Sequence, residues 1–146
     1  MVSIGICDDE GAVCSHLERM IWEFRQTTNE KIETEVFFSG KDLTKHLKNG
    51  KTFDIIFLDI ELGDMTGVEI GHMIREDMED HGVKIVYISS KSGYDRQLFA
   101  VQPLNFLTKP LNQKSVFEAI SRALLLLNKE SNAFFHGGIN RYFRGW

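Results

Sequence analysis

Polar residues stand where the apolar segments of this chain end, and their types suit one kind of chemistry. Asp59 closes the run Phe53-Asp-Ile-Ile-Phe-Leu-Asp59 and is followed at once by the turn-rich stretch Ile60-Glu-Leu-Gly-Asp-Met-Thr-Gly67. Such a run reads as a strand buried on both faces, which carries its terminal carboxylate into the crevice where open α/β sheets bind ligands. A second apolar segment, Val2-Ser-Ile-Gly-Ile-Cys7, ends in Asp8, Asp9 and Glu10. If the two strands are parallel neighbours, these carboxylates converge. At an effective dielectric of about 20, like charges about 5 Å apart repel by roughly 3 kcal/mol, a cost that Mg²⁺ or protonation relieves. Val83-Lys-Ile-Val-Tyr-Ile88 runs into Ser89 and Ser90, and Asn105-Phe-Leu-Thr108 runs into Lys109-Pro110. An acid pair for a divalent ion, a lone Asp, a hydroxyl and an ammonium can together handle a phosphoryl group, with Asp59 as the nucleophile.

With these residues in this order and spacing, the chain from about Val2 to Asn128 resembles the receiver domain of bacterial two-component response regulators. The resemblance implies a flavodoxin-like, doubly wound α/β fold with a five-stranded parallel sheet. It also implies that Asp59 is the phosphoacceptor and that Mg²⁺ is held directly by Asp9 and Asp59, through water by Asp8, and by the backbone carbonyl of Glu61. Ser89 and Lys109 would then hold the phosphoryl oxygens, and Pro110 falls where the family has a cis peptide that aims the lysine. Phe106 occupies the place of the family's switch aromatic, although an aromatic in a short strand is equally well read as core. The implied partners are a sensor histidine kinase and, on phosphorylation, a second copy of the chain. Ser89 is preferred over Ser90 because it directly follows Ile88; Ser90 can instead serve the turn amides. Glu61 departs from the pattern with a carboxylate at the site mouth, placed either to repel a phosphoryl group or to orient water. Asp64, in the same loop, reads as solvated.

The elements that must position these groups alternate as strand and helix. Val13, Leu17, Ile21 and Phe24 recur at helical spacing after the acid pair. Ile32 to Phe38 reads as a strand, and Ser39 caps a short helix carrying Leu43 and Leu47 that ends at Asn49-Gly50. A helix from about Val68 to Glu79 buries Val68, Ile70 and Ile74, and His81-Gly82 stops it. Gly93 to Gln102 holds a weak helix, and Asn112 caps a strong one with Val116, Ile120, Ala123, Leu124 and Leu127 inward.

The chain has 146 residues, a formal net charge of -4, 42% apolar residues and two prolines, which suits one compact domain over residues 1–128. No apolar stretch reaches the roughly 18 residues of a membrane span and no signal peptide is visible, so a cytoplasmic location is expected. The acidic balance argues against this segment binding nucleic acid by itself. Cys7 and Cys14 match no zinc or disulfide spacing and read as buried thiols, and the five histidines read as solvated. Residues 129–146 carry apolar runs on either side of Gly137-Gly138 that suggest a β-hairpin. They resemble either a linker or the start of a LytTR-type DNA-binding output domain, through which any DNA contact would be made, or else a non-native remnant. Two other functions fit less of the pattern. A haloacid-dehalogenase-like phosphohydrolase would want Asp where Glu61 stands, and a docking module that is never phosphorylated would tolerate loss of an acid or the lysine, none of which is missing.

Overall fold

The computed structural model describes residues 1–91 and 97–137. Five parallel strands, β1 (Val2–Cys7), β2 (Ile32–Phe37), β3 (Ile55–Asp59), β4 (Lys84–Ser89) and β5 (Asn105–Thr108), form one sheet in the order β2-β1-β3-β4-β5. The crossovers are α1 (Gly11–Thr28), α2 (Gly40–Lys48), α3 (Gly67–His72) and α4 (Gln97–Val101), and α5 (Gln113–Gly137) follows β5. This is the doubly wound α/β fold expected from the alternation.

Successive strand side chains point to opposite faces, and each face has its own core. Ile4, Ile6, Ile55, Phe57, Val86, Ile88 and Leu107 pack with the α1 and α5 stripes, Leu17, Ile21 and Phe24 against Val116, Ile120 and Ala123. Cys7, Ile56, Leu58, Ile85 and Tyr87 face the other way, onto Leu43, Ile70, Ile74, Leu98 and Val101. Every residue of β3 is buried, as a central strand covered on both sides requires.

Local signals set the helix ends. Asn29 takes a left-handed conformation at the end of α1, and the Ser39 hydroxyl accepts from the Asp42 amide at the start of α2. Thr66 and Glu69 form a capping box on α3. Gly67 is a requirement of close approach: a Cβ there would stand 2.5 Å from the Asp59 carbonyl oxygen.

The structure departs from the sequence reading in three elements. The helix expected over Val68–Glu79 is α-helical only to His72 and then winds as a π-helical turn, Met73–Asp77; apolar periodicity does not distinguish the two. Ile70 and Ile74 are buried as expected, whereas Val68 is only half-buried. The weak helix after Gly93 is the short α4, its expected start lying outside the described residues. Asn132–Phe135, read as the first strand of a hairpin, belongs instead to α5, since neither Gly nor Pro interrupts the chain between Gln113 and Glu130 and an established helix gains one hydrogen bond per added residue. Gly138 and beyond, with the second half of that hairpin, lie outside the described residues.

Candidate functional site

The register of the sheet brings the polar residues together. Cys7 is paired with Leu58, so Asp8 and Asp59 emerge side by side from β1 and β3. Asp59 pairs with Ile88 and Ser89 with Thr108, so Ser89 and Lys109 follow in the next strand ends. The Lys109 amide donates to the Ser89 carbonyl at 2.8 Å, and the Lys109-Pro110 peptide is cis.

Lys109 is the hub. Its ammonium lies 2.7 Å from Glu10 Oε1, 3.0 Å from Asp8 Oδ2 and 3.5 Å from Asp59 Oδ2. Burial works against that charge, but the Glu10 and Asp8 contacts and the Asp59 field hold the ammonium protonated well above its usual range. Asp59 is 1% exposed; burial, followed by the neighbouring Asp8 charge, pushes its carboxyl up to about 6 despite Lys109 and a hydrogen bond from the Glu61 amide. Asp8 is fully buried. Its Oδ1 accepts from the Glu10 amide at 2.8 Å, while Oδ2 has the lysine nearby but no hydrogen bond of good geometry. An enclosed carboxylate oxygen left in that condition suits a hard cation. The carboxylates of Asp8, Asp9 and Glu10 offer oxygens within 4.8 Å of one another, with Asp9 and Glu10 exposed. A Cβ on Gly63 would lie 3.5 Å from Asp9 Oδ2, so the loop after β3 lies close beside the acid pair.

On the other side of Asp59, Ser89 is fully buried. Its hydroxyl accepts from the Lys91 amide at 3.0 Å and donates to the Glu61 carboxylate. Glu61 also accepts from the Ser90 amide at 3.2 Å and from the Ser90 hydroxyl at 3.3 Å. Burial opposes ionisation of Glu61, but these bonds and Lys91 outweigh it and lower its carboxyl below the usual range. Phe106 is half-buried and stacks on Tyr87 with centroids 5.9 Å apart.

Several contributors are not apparent from the sequence. The Tyr87 hydroxyl donates to the Gly67 carbonyl at 3.0 Å, tying the aromatic pair to the loop that follows Asp59. Asp64, read as solvated, accepts from the Gly40 and Lys41 amides at 3.0 and 2.9 Å and so caps α2 from across the loop. Buried Arg75 donates to the carbonyls of Val101, Asp80 and Gln102, fixing the passage from α4 to β5. Only the Asp64 contact has a legible signal, an acid in a turn that can take the first amides of a helix which a single serine cap leaves unserved. Cys7 and Cys14 are buried free thiols, and burial pushes Cys14 up to about 11. Two histidines read as solvated do touch acids one turn away, His46 on Asp42 and His72 on Glu76.

A family profile described as response regulator receiver domain matches residues 4–121, and the chain belongs to that family. Among named relatives, it is 30% identical over 69 residues to the sensory transduction protein LytT of Oceanobacillus iheyensis and 30% identical over 81 residues to the transcriptional regulatory protein LytR of Staphylococcus aureus strain MW2. These matches cover 47% and 56% of this chain but 28% and 32% of the relatives, so the chain spans about a third of their length. The fold matches a CheY-like receiver domain from Methanospirillum hungatei with a TM-score of 0.75 and 21% identity, covering 89% of this chain and 98% of that one. It also matches the BeF3-activated DrrB receiver domain, with a TM-score of 0.66 and 23% identity, covering 85% and 97%. Among the described residues, no helix is long and apolar enough to cross a membrane.

Proposed function

We propose that this receiver acts in the cytoplasm and takes a phosphoryl group on Asp59 from the phosphohistidine of a sensor histidine kinase. The observation that carries this reading is a buried carboxylate with an ammonium beside it, the Lys109 Nζ group that Asp59 shares with Asp8 and Glu10. An Asp59 oxygen forms the new bond to phosphorus as the phosphorus–nitrogen bond breaks, and the departing imidazole keeps the electron pair. Lys109 neutralises the incoming oxygens and Ser89 supplies a hydroxyl to one of them. Asp8, Asp9, Asp59 and the Glu61 backbone carbonyl would hold Mg²⁺, and the enclosed Asp8 Oδ2 fits that donor set. When bound, the ion neutralises charge on the carboxylates and the phosphoryl group. The transfer and a slow hydrolysis are self-catalysed, and the chain is not otherwise an enzyme.

The output is a change of surface. Movement of Ser89 toward the phosphoryl group frees space beside Phe106, whose ring responds and alters the face made by α4, β5 and α5. That face serves a phosphorylation-dependent homodimer or an output domain, a DNA-binding one if the likeness to the LytR regulator extends beyond the receiver. Acetyl phosphate with Mg²⁺ should add one phosphoryl group to the intact mass, and Asp59→Asn, Asp9→Ala or Lys109→Ala should each sharply reduce labelling. Equal labelling of Asp59→Asn would refute the assignment.

A further inference from the structure

Resting on that reading, we propose that Glu61 is a positioning residue: a latch that occupies the Ser89 hydroxyl before phosphorylation and must let go for the phosphoryl group to be held. A serine hydroxyl has one proton to donate. Here it goes to Glu61, while the oxygen accepts the Lys91 amide. The Ser90 amide and hydroxyl also point at the same carboxylate, so three donors at the end of β4 converge on a negatively charged group lodged within the chain. Donors gathered on one carboxylate are the equipment for a phosphoryl oxygen. A phosphoryl group on Asp59 would need the Ser89 proton and would bring negative charge close to the carboxylate already there. The two cannot share it. Glu61 is only half-buried, so its side chain can swing outward to solvent without opening the core. The latch therefore sets how readily Asp59 is charged and delays the Ser89 movement until a phosphoryl group has displaced it.

The test is the rate of labelling by acetyl phosphate at saturating Mg²⁺, followed by intact mass in the full chain. Loss of a competing charge-assisted hydrogen bond should make Glu61→Ala faster by roughly tenfold. Glu61→Gln keeps an acceptor for Ser89 without the charge, and its gain should be smaller. In the Ser89→Ala background, where no hydroxyl remains to be held, Glu61→Ala should change the rate by less than about twofold. A Glu61→Ala rate equal to or below wild type overturns the latch. So does an undiminished gain in the Ser89→Ala background, or a Glu61→Gln as fast as Glu61→Ala, because either places the effect in charge alone. Absence of label on wild type and every variant would remove the phosphoacceptor reading itself, a different result from Asp59-dependent labelling that ignores residue 61.

Discussion

Asp59 has a raised carboxyl, and the direction of its effect on stability follows. Between the unfolded value near 3.8 and the folded value of about 6, the folded protein binds more protons than the unfolded chain, so stability falls as pH rises through that window. Above it, the ionised and crowded carboxylate costs metal-free protein on the order of 3 kcal/mol. We expect urea unfolding without divalent ions to show greater stability near pH 5 than near pH 8 for this group's share. Asp59→Asn should be more stable than wild type at pH 8, and Mg²⁺ should raise the melting temperature of the wild type. A wild-type melting curve indifferent to Mg²⁺ would count against the acid cluster. At this scale, much is legible in the sequence. Asp8, Asp59, Ser89 and Lys109 are each fixed by the end of an apolar run, and a parallel sheet aligns such ends whatever the side chains do. The reach of Glu61 to Ser89, the tyrosine hydroxyl on Gly67 and the arginine on three carbonyls depend on side-chain torsions and on chain brought from elsewhere, which no spacing encodes.

Elements carry the mechanical part. Tyr87 joins β4 to the start of α3 through Gly67, and its ring lies against Phe106 on β5, so one side chain touches three places that a switch would have to coordinate. Tyr87→Phe leaves the buried Gly67 carbonyl without that donor and should cost about 1–2 kcal/mol in urea unfolding, with the fold unchanged. Gly67→Ala should cost more, about 1–3 kcal/mol, because the new methyl meets β3 backbone rather than a side chain that can turn. Beryllofluoride, standing in for the phosphoryl group, should move Ser89 and Phe106 together in NMR spectra; a shifted Ser89 beside an unchanged Phe106 would make that ring core packing alone. The helices were legible wherever an apolar stripe met a cap, as in α2 and at the start of α5. The π-helical turn was not, because Ile70 and Ile74 lie inward in either winding. The far end of α5 is not legible, because Phe134 and Phe135 ahead of Gly137 have the composition of a hairpin strand, while helix propagation from the packed segment before them decides the outcome.

Across the whole molecule, α5 is out of proportion to the rest. At 1.5 Å per residue, its 25 residues make a rod about 37 Å long, whereas the four residues of β5 beside it span about 13 Å. Its first turn follows Lys109-Pro110 at the edge where Asp8, Asp59 and Ser89 gather, and Glu130 meets Lys84, the first residue of β4, at 2.6 Å on the opposite edge. Because Glu130 is exposed, Glu130→Ala should change global stability by less than about 1 kcal/mol. It should nevertheless speed hydrogen exchange of the amides beyond Leu127, which that ion pair helps to hold. The consequence is leverage. A tilt of about 5° at the foot of such a rod would displace its far end by roughly 3 Å, so any movement of α5 where it leaves β5 would be largest on the opposite side of the domain.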